Sequence, residues 1–306
     1  MPTESTRSTG TIILAGVTGS STDALPAPPR GARNLVVVVL DSLRYDSWLA
    51  APPASLASLG AVQRRFSYAS WTAPSHYNLL MGLLPHPSPT RVYASDYYQA
   101  DFLRYRERLG VEDLEYRKLL PSLFLPTYLK HTLGYRTHAR VSMPVLNPFT
   151  VINRDFDSFK LMPSHNDMAA IVAEVGFDPQ RPSFWLLNVG ETHYPYAYPG
   201  SAAVELPHIS GVHGVLKHVD EIRGGDDEAA DFFTEKTLGE LRARQVAALE
   251  YLDGVFEALL AKLPANTWLI VTSDHGELFG EDGYFGHGPI NHEKVLEVPF
   301  LEGRIV

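Results

Sequence analysis

The uninterrupted apolar run at residues 35–40, inside NLVVVVLD, predicts a strand buried on both faces, as in a parallel sheet. A polar DSLRYDSW follows it at once, so Asp41 stands at the carboxyl end of that strand. YASWTAPSHYNLLMGLLP (68–85) reads as a loop entering a helix: Pro74 suits a first helical turn, and Leu79, Leu80, Leu83 and Leu84 form a stripe to bury. LPTYLKHTLGYRTHARVS predicts a helix, a glycine turn and a strand. A second buried strand spans 184–189 and runs into Glu191 and His193. LGELRARQVAALEYLDGVFEALLAKL has the period of a long amphipathic helix, and it leads through PAN into TWLIVTSDHG, a third apolar strand closed by Asp274 and His275, after which a glycine-rich loop brings in His287.

Strands alternating with helices define an α/β architecture. In open α/β sheets ligands bind beyond the carboxyl ends of the strands, and here three such ends carry polar residues, which predicts one site at one edge of the sheet. Residues 1–33 read as a partly flexible leader, with a short edge strand at 11–15, followed by one domain over 34–306. Residues 86–125, rich in Tyr, Arg and Pro, read as an irregular insertion plus a helix forming a wall or lid. Residues 200–235 read as a surface loop with an acidic turn.

Composition narrows the function. A net charge of −9 argues against general nucleic-acid affinity, which needs a basic face. It leaves an anionic small substrate open, because a bound cation can invert the local field. The chain has no cysteine, which removes disulfides, zinc–thiolate sites and cysteine nucleophiles. No secretory signal or membrane-length apolar stretch is legible, and the expected location is cytoplasmic.

Asp41, Asp274 and His275 offer two carboxylates and an imidazole at the ends of two buried strands. Such a set suits Zn²⁺ or Mn²⁺, and a more oxygen-rich one Ca²⁺ or Mg²⁺. Either Asp alone reads more readily as a turn or helix cap, and the Asp-His pair alone is a weak signal. Thr72 is a nucleophile if a metal lowers its hydroxyl pKa, and it reads equally as a cap on the helix that Pro74 begins, the two roles being compatible. His193 and His287 are candidate general acids or donors to substrate oxygens. His86, His131, His138, His165, His208, His213 and His218 read as structural or surface residues, His292 has no role, and Arg44 reads as a partner of Asp46.

Taken together and in order, these segments resemble the alkaline phosphatase superfamily, sulfatase-like branch. VVVLDSLRYD is similar to its first metal-binding strand and TAPSHYNLLMGLLP to its nucleophile motif. LGYRTHARVS with RDFDSF, then ETHYPY, resemble its middle segments; the stretches ending in TSDHGE and in LEVPF resemble its second metal-binding strand and its closing segment. The resemblance implies a three-layer α/β/α sandwich around a mostly parallel sheet, with Asp41, Asp274 and His275 as metal ligands. It makes Thr72 the nucleophile that also touches the metal, and His193 and His287 substrate-side donors.

The departures from that pattern also inform. A Thr cannot give the formylglycine aldehyde of sulfatases, and Thr here resembles the phosphodiesterases and phosphoethanolamine or glycerophosphate transferases of the superfamily. Ser42 stands where sulfatases carry a second Asp, which favours Zn²⁺ or Mn²⁺ over Ca²⁺. His76 replaces an Arg, and THARVSMP lacks the Gly-Lys and His of the sulfatase substrate site. The usual C-terminal subdomain is expected to be missing or very short, leaving a minimal core with an open site or one completed by a partner or oligomer. The expected function is a metal-dependent hydrolase or transferase for a small anionic phosphoester or phosphonate, with no membrane span. The rival readings are sulfoester hydrolysis without formylglycine and a non-catalytic, metal-stabilised binding partner. A second metal held by His287 with His193 or Glu191 is allowed but not demanded.

Overall fold

The structure, a computed structural model, describes residues 25–87, 94–116, 124–201, 217–218 and 234–306. The 11–15 edge strand and nearly all of the 200–235 loop lie outside these residues. At the centre lies β1 (Asn34–Leu40), flanked in parallel by β5 (Ser183–Val189) and β7 (Thr267–Thr272). On the β5 side follow β3 (Arg136–Val141) and β4 (Ser158–Leu161), also parallel. On the β7 side follow β10 (Glu297–Arg304), antiparallel to β7, and β2 (Gln63–Phe66), antiparallel to β10. The sheet order is β2-β10-β7-β1-β5-β3-β4.

The unbroken apolar run of β1 follows from this position. Leu35, Val37 and Val39 pack into one core, with Tyr105 and Leu109 of helix α3 (Ala94–Leu109) and Tyr128 and Leu129 of α4 (Leu125–His131). Val36, Val38 and Leu40 pack into the opposite core, with Ile171 and Val172 of α5 (Met168–Glu174) and Leu249, Leu252 and Phe256 of α6 (Glu235–Leu260). Both faces are covered, so the architecture is the predicted α/β/α sandwich. Full burial of each β1 valine or leucine contributes roughly 1.5–3 kcal/mol.

Helix α6 starts three residues before the apolar period does, because the Thr234 hydroxyl accepts the amide of Thr237 as its N-cap at 3.2 Å. Its inward stripe is broken by one buried polar residue, Gln245, which reaches the site described below.

Two expectations change. Helix α3, inside the stretch read as a wall or lid, is core packing. Its Arg108 is buried and bonds Glu302 of β10 at 2.8 and 3.2 Å, so a charged segment is drawn inside by an ion partner. The glycine-rich stretch after His275, read as a loop, is a hairpin of β8 (Leu278–Phe279) and β9 (Tyr284–Gly286). It is extended by β6 (Lys217–His218) and anchored by buried Leu278, Phe279 and Phe285. Gly280 and Gly283 take φ of +105° and +78° at its turn, a region that costs other residues strain.

Candidate metal centre and active site

The last register pair of β1 with β7 is Val39 with Thr272. Two residues further on each strand stand Asp41 and Asp274, so parallel pairing alone sets the two carboxylates side by side. Between them Ser42 takes φ +61°, uncommon for a residue with a side chain. That turn aims the Ser42 amide back at Asp274 Oδ1 at 3.2 Å, and the His275 amide donates to the same oxygen at 3.0 Å. Asp274 Oδ2 is buried and receives no hydrogen bond. Asp41 is held by Asn188, whose amide nitrogen donates to Oδ2 at 3.1 Å, and by the Ser42 hydroxyl.

His275 donates from Nδ1 to the carbonyl of Gly276 at 2.9 Å, which leaves Nε2 as the bare lone pair. Nε2 faces Asp274 Oδ2 at 3.4 Å and Asp41 Oδ1 at 3.8 Å. Gly276 is required here, because a Cβ would meet the carbonyl oxygen of Lys294 at 2.2 Å. One ligand atom from each of Asp41, Asp274 and His275 lies within 4.8 Å of the others, and all three residues are buried. The donor set fits a divalent cation: two carboxylates, one imidazole with its second nitrogen already bonded, and a buried oxygen left unpartnered.

The electrostatics agree. Burial, then the neighbouring Asp274, pushes the Asp41 carboxyl up, and burial pushes Asp274 up to about 7. Burial, then His287, pushes His275 down to about 3, so its imidazole is neutral at physiological pH. Two like charges out of water are costly, and a cation between them would reverse that cost.

Thr72 opens helix α2 (Thr72–Leu80), two residues earlier than Pro74 suggests. The capping reading does not hold: Trp71 is the N-cap residue and no side chain caps the helix. The Thr72 hydroxyl is turned to the cluster instead, 3.4 and 3.5 Å from the two Asp41 oxygens and 3.3 Å from His275 Nε2.

His193, in the loop after β5, donates from Nδ1 to the Tyr194 carbonyl at 2.8 Å. The hairpin returns His287 to a ring distance of 5.3 Å from His193 and 4.2 Å from His275. Both border a pocket of about 590 Å³ that opens over Thr72, with walls from Trp71, Met143 and Val145. All six predicted site residues therefore converge. Glu191 does not join them: its Oε1 accepts the Met168 amide at the start of α5 at 2.6 Å, and burial pushes its carboxyl up to about 7. His76 lies behind the cluster, donating from Nδ1 to the Thr72 carbonyl at 2.8 Å, with Asp274 Oδ2 at 3.7 Å.

Three supporting residues escape a reading of the sequence. Glu277 Oε1 accepts from His287 Nδ1 at 3.1 Å, and its Oε2 accepts from the Tyr196 hydroxyl. Gln245 donates to the carbonyls of Ser42 at 2.9 Å and Thr192 at 3.1 Å, tying together the loops after β1 and β5. Asn188 is the third. Glu277 carried a faint signal, as an acid two residues from His275. Arg44 is buried and bonds Asp46 at 2.7 and 2.8 Å and Glu281 at 2.6 Å, so its expected partnership is present. His131 pairs with Asp155, His138 stacks on Trp185, and His292 caps α7 (Glu293–Leu296), away from the cluster.

A layered α/β sandwich with a carboxylate–imidazole centre at its strand ends defines the class, and the chain belongs to the sulfatase family: the family model described as Sulfatase matches residues 33–301. No curated protein matches in sequence. Among solved structures, the C-terminal periplasmic domain of EcEptC from Escherichia coli, in complex with Zn, is 16% identical. It has a TM-score of 0.51, covering 90% of this chain and 73% of that one. The integral membrane protein lipooligosaccharide phosphoethanolamine transferase A from Neisseria meningitidis is 14% identical with a TM-score of 0.53, covering 92% of this chain and 49% of that one. Phosphonate monoester hydrolase of Agrobacterium radiobacter is 14% identical with a TM-score of 0.50, covering 89% and 68%. At such identities the likeness is one of fold. The expected cytoplasmic location is overturned, because these neighbours include a periplasmic domain and an integral membrane protein. No helix among the described residues is long and apolar enough to cross a membrane.

Proposed function

We propose that the protein is a metal-dependent hydrolase or transferase of phosphoester or phosphonate substrates, with Thr72 as its nucleophile. The observation that carries this reading is the Thr72 hydroxyl, set 3.3 Å from His275 Nε2 and 3.4 Å from Asp41. A side chain serving only the helix would not be turned into a buried carboxylate–imidazole cluster. Asp41, Asp274 and His275 would hold a divalent cation, Zn²⁺ or Mn²⁺ in preference to Ca²⁺, which supplies Lewis acidity and a lowered hydroxyl pKa at Thr72. Neighbours that carry a zinc ion, transfer phosphoethanolamine or hydrolyse a phosphonate monoester support the same chemistry.

Thr72 Oγ1 attacks phosphorus and gives its proton to His287; the Oγ1–P bond forms as the ester P–O bond breaks, and His287 passes that proton to the departing oxygen, which leaves as the alcohol. Water, or an acceptor alcohol, then attacks the phosphorylated threonine and gives its proton to His287; the new O–P bond forms as the Oγ1–P bond breaks, and His287 returns the proton to Oγ1, restoring the hydroxyl. His287 is suited to accept it: with Nδ1–H donated to Glu277, Nε2 is the nitrogen left on the substrate side, and burial keeps the ring neutral. His193, likewise bonded through Nδ1, presents Nε2 to the pocket.

Release of nitrophenol from a panel of phosphate mono- and diesters, phosphonate and sulfate esters tests the reading, with Zn²⁺, Mn²⁺ or Ca²⁺ and with Thr72→Ala alongside. Metal-dependent turnover of a phosphorus ester, lost in Thr72→Ala, is expected. Turnover surviving the substitution contradicts the nucleophile, turnover of sulfate esters alone favours sulfoester chemistry, and metal binding without any turnover favours a binding partner.

A further inference from the structure

We infer that the substrate is a singly charged phosphodiester or phosphonate monoester whose ester group is apolar, held by Trp71, Met143 and Val145. The inference rests on the phosphoryl-transfer reading and adds the identity of the organic half. The pocket over Thr72 has about 590 Å³, the size of a small-molecule site. Its reacting end carries Thr72, His193 and His287. The remainder of the wall is Trp71, Ala73, Met143, Pro144, Val145 and Pro289 with Gly288. Among the described residues, and apart from the Trp71 indole, that wall offers an incoming group no polar side chain. A sugar, amino alcohol or glycerol there would lose its water without regaining hydrogen bonds, which is expensive, whereas an alkyl or aryl group gains from the same contact.

The exposure of the wall points the same way. Trp71 is 42% and Val145 53% exposed, although each is large and apolar, and Val145 sits in the segment after β3 that also presents Phe149 and Val151. A pocket that keeps its own apolar wall wet is stabilised when an apolar group covers it.

Charge sets the other half of the inference. No Lys or Arg among the described residues lines the pocket, and the nearby Arg44 is committed to Asp46, Glu281 and the Glu277 carbonyl. A dianionic monoester would bring a second negative charge that no described side chain of the pocket wall can pair, and a monoanionic diester or phosphonate monoester does not.

The test is calorimetric binding of methyl alkyl phosphodiesters to Zn²⁺-loaded Thr72→Ala, with methyl, butyl and hexyl as the second group, and with 2-aminoethyl and 2,3-dihydroxypropyl as polar counterparts. Affinity is expected to rise about two- to fourfold for each methylene and to be lowest for the two polar esters. In Val145→Asp the hexyl advantage is expected to vanish, and in Trp71→Ala to shrink. Turnover of methyl 4-nitrophenyl phosphate by the unaltered protein is measured alongside. If that ester is hydrolysed but the alkyl series is flat or reversed, the apolar-ester inference is wrong and the phosphoryl-transfer reading stands. If nothing is turned over or bound, both fall. A flat series in which Val145→Asp instead changes vesicle sedimentation or oligomeric state assigns the patch to a membrane or to a second copy, and overturns the inference.

Discussion

Glu277 Oε1 accepts a hydrogen bond from His287 Nδ1–H at 3.1 Å, from the far side of the hairpin that separates them by ten residues. The carboxylate is fully engaged, because its other oxygen accepts the Tyr196 hydroxyl. It fixes the ring's orientation and tautomer, the role of a positioning residue for a general base.

Replacing Glu277 by Gln keeps the shape and removes the charge. The expected result is a fall in kcat of about 10²-fold with KM changed little, and calorimetric affinity for Zn²⁺ within a few-fold of the original. A lost metal site, or a rise in KM alone, would show that Glu277 serves the fold or substrate binding instead.

Metal removal should matter most above neutrality. The Asp274 carboxyl is pushed up to about 7, so between its ordinary value and 7 the metal-free native state holds a proton that the unfolded chain has released. Stability of the metal-free protein therefore falls as pH rises through that window. A cation needs the ionised form of Asp274 and of Asp41, whose carboxyl is raised as well, so the stabilisation by Zn²⁺ should grow as pH rises towards 7, by at least about tenfold in affinity per pH unit. Thermal shifts with and without Zn²⁺ from pH 5.5 to 8.5 measure this, and a shift independent of pH would contradict it.

Glu191 follows the same sign without touching the metal. Its carboxyl is raised from 4.5 to about 7 by burial, so its contribution to stability is lost as pH rises from about 4.5 to 7. Glu191→Gln cannot ionise. Its stability relative to the unaltered protein should improve between pH 5 and pH 8 by on the order of 2 kcal/mol, read by urea unfolding at both pH values. An unchanged difference would place the Glu191 carboxyl at its ordinary acidity.

Gln245 is predicted to couple stability to the metal site. Gln245→Leu leaves the buried carbonyls of Ser42 and Thr192 without their donor, which should cost about 2 kcal/mol or more. Because the Ser42 amide holds Asp274, Zn²⁺ affinity should fall about 10–100-fold as well. Loss of stability with full metal affinity would separate the two.

The frame of this fold was largely legible in the sequence. An apolar run as long as that of β1 has no other economical place than the middle of a parallel sheet, and from there the polar residues Asp41 and Asp274 had to meet. The supporting shell was not legible, since Glu277 and Gln245 acquire their partners only when the hairpin and helix α6 close on the strand ends. The hairpin itself was hidden by composition: few apolar residues among several glycines read as a loop, until strand pairing buries Leu278, Phe279 and Phe285. The wall-or-lid reading of 86–125 failed in the opposite direction, because a segment rich in Arg does not show as core until a partner such as Glu302, on the last strand, meets Arg108.

The central claim is that phosphorus becomes bonded to Thr72. Acid quenching of the Zn²⁺-loaded protein during turnover of a nitrophenyl phosphodiester, followed by peptide mass spectrometry, reads that bond directly. A phosphoryl adduct on Thr72, carrying the retained ester group and absent when metal is withheld, is the predicted result. Sustained turnover with Thr72 unmodified, or with the adduct on another residue, would contradict it.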